Sequence, residues 1–131
     1  PEEAVAAGQA LVDAGVRLLA VPLAAPGALQ SLQLLAVAPL RGAVVGAAGV
    51  LDEREVRAVA GAGGRFVLSP NTDFRVIRQA KGLGLTSVPG VCTPSEALAA
   101  LSHGADGLSA FPTEHLAPPA VRALRAELPP G

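Results

Sequence analysis

Few side chains in this 131-residue chain can do covalent or proton chemistry. It has one lysine, Lys81, one cysteine, Cys92, and two histidines, His103 and His115. A lysine amine can capture a ketone as an imine, a thiolate can attack carbonyls, and an imidazole can move protons near neutral pH. Cys92 precedes a helix start, where a thiolate is favoured. No histidine lies near it in sequence, so it reads as a small buried residue. Metal binding is not expected: there is no second cysteine, and the histidines lack close ligand spacing. Ser109 lies in Gly107-Leu108-Ser109-Ala110-Phe111. A nucleophile elbow needs glycine where Phe111 stands, so Ser109 reads as a hydroxyl at a strand end. His103 follows a helical run and precedes Gly104, a helix C-terminus where a charged ring suits the dipole. Glu114 and His115 are better placed, after Phe111-Pro112, and read as a surface loop. Gly46-Ala47-Ala48-Gly49 lacks both the dinucleotide fingerprint and the P-loop lysine, so it reads as a strand-to-helix turn.

The elements that must position these residues alternate regularly. Short apolar runs predict strands at Arg17–Leu23, Ala43–Ala47, Arg65–Ser69, Leu85–Pro89 and Asp106–Phe111. Their nearly unbroken apolar character suits strands buried on both faces. Helices are predicted at Glu2–Ala14, Gly27–Ala36, Glu53–Ala62, Asp73–Gly82, Pro94–Ser102 and Pro118–Glu127. Gly15, Gly63, Gly84 and Gly104 stand where helices stop before strands. The spacing from Gly63 to Gly84 is 21 residues and from Gly84 to Gly104 is 20, close to one βα unit. Asp52 with Glu55, and Thr93-Pro94 with Glu96, read as capping boxes. Alternating strands and helices demand a parallel sheet with right-handed crossovers. An open doubly wound sheet and part of a (βα)8 barrel both satisfy the pattern. Five strands cannot close a barrel, which takes roughly 200 residues or more. They leave two free edges, so a homo-oligomer, a longer polypeptide or poor solubility is expected.

Composition narrows the partners. Half the residues are hydrophobic and only 2% aromatic, so the core must be Ala, Val and Leu. The net charge of −1 excludes a nucleic-acid binder driven by a basic face. The longest apolar stretch, Leu18 to Leu29, holds two prolines and falls short of the roughly 20 residues that span a bilayer. No leader pattern opens the chain, and the single cysteine forms no internal disulfide. Both lead to the expectation of a cytoplasmic protein.

Read in order, the segments resemble the 2-keto-3-deoxy-6-phosphogluconate aldolase family, nearest to its 2-dehydro-3-deoxy-6-phosphogalactonate branch. The likeness rests on Leu11-Val12-Asp13-Ala14-Gly15, Val21-Pro22-Leu23, Val45-Gly46-Ala47 and Phe66-Val67-Leu68-Ser69-Pro70-Asn71. It continues through Val88-Pro89-Gly90-Val91-Cys92-Thr93-Pro94-Ser95-Glu96-Ala97 and Gly104-Ala105-Asp106-Gly107-Leu108, leading into Phe111-Pro112. The resemblance implies an α/β fold: a partial (βα)8 TIM barrel of parallel strands with outer helices. Strands 2 to 6 of the barrel are present, and residues 1–131 form a single incomplete domain.

The chemistry implied is class I aldol cleavage of a 2-keto-3-deoxy-6-phospho sugar acid to pyruvate and glyceraldehyde 3-phosphate. It uses no metal or cofactor, and the family commonly assembles as a trimer. A barrel lysine forms a Schiff base, and a glutamate moves protons through water. The resemblance places that lysine at Ser109 and that glutamate at Ala20. A glycine and a threonine of the family fall at Ala48 and Gly49. Gly49, Pro70, Pro89, Thr93, Phe111 and Pro112 fall at substrate-side positions. The expectation is a chain of aldolase descent without Schiff-base activity, which takes a phosphorylated keto sugar acid or pyruvate only if binding survives. The alternative is a non-catalytic scaffold for assembly or small-molecule binding. Lys81 is expected on the outer helical ring.

Overall fold

In the computed structural model, which describes residues 1–130, strands and helices alternate along the whole chain. The helices are α1 (Ala4–Asp13), α2 (Ala28–Val37), α3 (Glu53–Gly61), α4 (Phe74–Gly82), α5 (Pro94–Ser102) and α6 (Pro118–Ala126). The strands are β1 (Leu18–Pro22), β2 (Val44–Ala48), β3 (Phe66–Ser69), β4 (Thr86–Val91) and β5 (Ser109–Ala110). Local signals explain the boundaries. The Asp52 carboxylate accepts the Arg54 and Glu55 N–H groups at 2.8 and 2.9 Å, opening α3. Glu55 reaches back one residue further than a capping box does, to the Leu51 N–H at 2.6 Å. The α5 box is complete: Thr93 Oγ1 accepts the Glu96 N–H at 3.2 Å, and Glu96 Oε2 accepts the Thr93 N–H at 2.9 Å. The helix-stopping Gly15, Gly63, Gly84 and Gly104 all have positive φ, from 72° to 99°.

All strands are parallel, in the order β1-β2-β3-β4-β5. A doubly wound sheet reverses its strand order at a switch point, and this one does not. Crossovers of one hand, always stepping in one direction, put every helix on the same face and curve the sheet into a half-barrel. Odd-numbered residues of β1 to β3 face the helices. Leu19, Val45, Ala47 and Val67 share one buried cluster with Leu32, Leu35, Val56 and Val59. Even-numbered residues face the open inner side, where Leu18 is 67% exposed. Phe66 fills the floor of that side and lies over Gly46, where a Cβ would collide with the Phe66 ring and carbonyl.

The last unit departs from expectation. The strand predicted over Asp106–Phe111 is regular only at Ser109–Ala110, and a short 3-10 turn at Thr113–His115 follows it. The reason lies in β4. Its edge toward β5 presents Ser87, Pro89 and Val91, and proline has no N–H to give. The Ser87 N–H donates instead to the Asp106 side chain, at 2.9 Å from Oδ2. A carboxylate takes the place of a ladder carbonyl there. Ile77, Val91, Ala97 and Ala100 form a second small core beneath β5 and α6, with Leu108, Leu124 and Leu128 half-buried against it.

Candidate active site

In parallel α/β folds, ligands gather at the carboxyl ends of the strands. Register puts Ala20 opposite Gly46, Ala48 opposite Leu68, Leu68 opposite Val88, and Gly90 opposite Ser109. Ala20, Ala48, Leu68, Val88 and Ser109 therefore occupy inner-face positions. A Cβ placed on Gly107, two residues before Ser109, would meet the Val88 methyls at 3.5 and 3.8 Å, which agrees with that facing. Ala20 is exposed and Ser109 half-buried, and they stand on the two edge strands, β1 and β5.

The other predicted positions are scattered around this rim. Gly49 ends β2 with a φ of +74° and open space where a Cβ would stand. Pro70 follows β3, and its carbonyl packs so closely on Gly90 that a Cβ there would collide with it. Pro89 is fully buried at a helix-facing register position beside Ser69, away from the inner face. The Thr93 hydroxyl is engaged in the α5 cap. Phe111 is exposed and Pro112 half-buried, while Glu114 and His115 lie exposed on the 3-10 turn. Cys92 is half-buried rather than buried, and its N–H donates to Glu96 Oε2 at 2.7 Å.

Lys81 and His103 lie away from this rim. Lys81 is in the last turn of α4, which leads into the amino end of β4. Its Nζ sits 3.2 Å from Asp106 Oδ1, and its side chain is 60% exposed. The prediction of an outer position holds. His103 caps the C-terminus of α5, as expected, and its ring is engaged by neighbouring side chains. Its Nδ1 lies 3.1 Å from the Arg78 guanidinium, and its ring 5.1 Å from that of Phe74. A guanidinium can only donate, so the ring nitrogen is the acceptor in that contact.

The perturbed carboxylates all serve structure. The Ser87 N–H, with help from Lys81, holds Asp106 below the ordinary aspartate range. The Cys92 and Thr93 N–H groups lower Glu96, and the Glu55 N–H with Arg54 lowers Asp52. Arg75 lowers Asp73. None is a carboxyl group kept protonated to act as a general acid. Among the described residues, no group of three or more His, Cys, Asp or Glu side chains could hold a metal ion. No helix among them is long and apolar enough to cross a membrane.

Sequence reasoning missed two polar residues. The Thr72 hydroxyl donates to the Gly90 carbonyl at 2.9 Å, tying the loop after β3 to the end of β4. Asp106 reads in sequence as a strand start and as part of a family-like stretch, with no sign of its side-chain role. No local motif marks Thr72; for Asp106, Pro89 on the preceding strand was the available signal. The inner-face positions Ala20, Ala48, Leu68, Val88 and Ser109 thus offer a small ligand one hydroxyl, but no amine and no carboxylate side chain.

The family model described as aldolase, KDPG and KHG aldolase, matches residues 1–129. This chain belongs to the KDPG and KHG aldolase family. It is 40% identical over 129 residues to a probable 2-dehydro-3-deoxy-6-phosphogalactonate aldolase of Rhizobium meliloti (strain 1021), covering 98% of this chain and 61% of that protein. The solved native KDPGal structure superposes with a TM-score of 0.94 at 39% identity, over 98% of this chain and 63% of that one. A cube-shaped protein cage designed by fusing symmetric oligomeric domains matches equally well, with a TM-score of 0.94 at 39% identity over 98% of this chain and 48% of the other. The chain therefore spans about three fifths of the length of the curated relative, and its half-barrel corresponds to that stretch of the barrel.

Proposed function

We propose that this chain descends from class I aldolases that cleave a 2-keto-3-deoxy-6-phospho sugar acid to pyruvate and glyceraldehyde 3-phosphate, and that residues 1–131 form no Schiff base themselves. The observation that carries this reading is the position of Lys81. The sole lysine of the sequence stands at the amino-end rim, paired with Asp106, across the sheet from the carboxyl-end rim. Ser109 takes the lysine's place and Ala20 the glutamate's. A hydroxyl adds to a ketone only as a hemiketal and supplies no iminium to stabilise the carbanion left by carbon–carbon cleavage. With Ala20 in place of a carboxylate, proton transfer loses the roughly 10²–10⁴-fold that general acid–base catalysis contributes.

The ligand class that fits is pyruvate or a phosphorylated keto sugar acid, held without metal or cofactor at the carboxyl-end rim. Gly49, Pro70, Thr93, Phe111 and Pro112 are its substrate-side positions; Pro89, expected among them, is buried on the helix-facing side and is left out of the ligand's reach. The reading also takes the 131 residues as one incomplete barrel domain, assembled as a homo-oligomer, with a trimer as the family form, in the cytoplasm. Two free sheet edges and a single cysteine support these assignments.

The test is borohydride trapping with pyruvate, read by intact mass. The chain as it stands is expected to gain no stoichiometric adduct. An Ala20→Glu, Ser109→Lys double variant that folds is expected to gain one at residue 109. A rapid, stoichiometric adduct on the unaltered chain overturns the reading.

A further inference from the structure

We propose that residues 106–128 form a strap that opens as one unit from the edge of β4, and that Asp106 is its latch. The observations are independent of the aldolase reading. Asp106 grips Ser87 in two directions: its Oδ2 accepts the Ser87 N–H at 2.9 Å, and its own N–H donates to the Ser87 carbonyl at 2.9 Å. The Lys81 ammonium closes the clasp from α4 at 3.2 Å. Beyond the clasp, attachment is thin. The regular ladder pairs only Gly90 with Ser109 and Val91 with Ala110, and Pro89 offers that edge no donor. Helix α6 contains no buried residue. A cleft of about 650 Å³, lined by Leu101, Asp106, Leu108, Arg125 and Leu128, separates it from α5. Segments with few buried apolar contacts open locally at less cost than the core.

The latch sits where opening has the greatest reach. Ser87 is 1% exposed and anchored in β4, so Asp106 ties the start of the strap to the interior. Releasing it frees the β4 edge from Ser87 to Val91 and carries Ser109 away from Gly90. The two arms of the clasp are unequal. The Ser87 N–H bond is half-buried and charge-assisted, whereas the Lys81 pair lies at the surface, where ion pairs contribute little.

Hydrogen exchange on the intact chain, read by mass spectrometry at neutral pH, tests this. Asp106→Ala is expected to speed exchange in peptides spanning 107–128 by roughly tenfold or more, with peptides from α1 to β3 unchanged. Lys81→Met is expected to change the same peptides by about fivefold or less. Asp106→Asn, which keeps an acceptor oxygen but loses the charge, is expected to fall between them. The proposal is overturned if the strap peptides do not respond to Asp106→Ala, or if β1 to β3 lose protection equally. Failure of Asp106→Ala to fold overturns it too, unless Asp106→Asn shows the loss confined to 107–128.

Discussion

The βα units from α1 to α4 and the β5–α6 strap come from similar sequence but are held in different ways. In the first, helix and strand side chains close on each other completely: Leu32, Val56, Val59 and Val67 are all 0% exposed. In the second, Leu108, Leu124 and Leu128 are only partly buried, and the Asp106 carboxylate supplements the main-chain bonds to β4. Apolar content alone does not produce a core. A second layer must close over the stripe, and α6 has no buried residue.

The largest break in this contrast is expected from truncating the core. Leu32→Ala is expected to cost about 2–5 kcal/mol, because tightly packed surroundings cannot collapse into the space. Leu124→Ala on α6 is expected to cost about 1 kcal/mol, because its side chain is only partly withdrawn from water. Urea unfolding of the two variants measures both, and equal costs would erase the distinction between the regions.

Why one region was legible and the other less so follows from how far each signal reaches along the chain. Helix stops at Gly15, Gly63, Gly84 and Gly104, and caps at Asp52 and Thr93, involve residues within a turn of each other. They came through with boundaries off by a residue or two. The β5 strand is shorter than its apolar run predicts because its start is decided 17 residues earlier, at Pro89. His103 was read for its helix end, while its partner Arg78 lies 25 residues away. The inner-face placement of Ala20 and Ser109 depended on strand register, which a family likeness carries but residue spacing alone does not.

A smaller effect is expected at the cap nearest the candidate site. Thr93→Ala removes half of the reciprocal box and is expected to cost about 1 kcal/mol, with Thr93→Ser restoring most of it. Thermal melts of the pair give the comparison. Acid adds a third measurement. Asp52, Asp73, Glu96 and Asp106 all titrate lower in the fold than in the open chain. Their contribution is complete above the unfolded values, 3.8 for Asp and 4.5 for Glu, and is lost as pH falls through the lower folded values. Urea midpoints measured from pH 6 downward are expected to drop below about pH 4.5, and less steeply in Asp106→Ala. The smallest change is expected at Ser87, whose buried Oγ has no hydrogen-bond partner. Ser87→Ala removes that orphan and leaves the N–H that Asp106 uses. Stability is expected to stay level or rise by under about 1 kcal/mol. A clear loss in the same urea assay would mean that the hydroxyl has a role in the fold.

Gly49 carries a consequence for anyone redesigning this rim. At positions 20 and 109, replacing alanine or serine with a longer residue asks only for room. At position 49 room is plentiful, yet the +74° φ penalises any β-branched newcomer. A hydroxyl-bearing threonine grafted there would first demand a differently bent connection after β2. Two of the three changes are side-chain exchanges; the third is loop engineering.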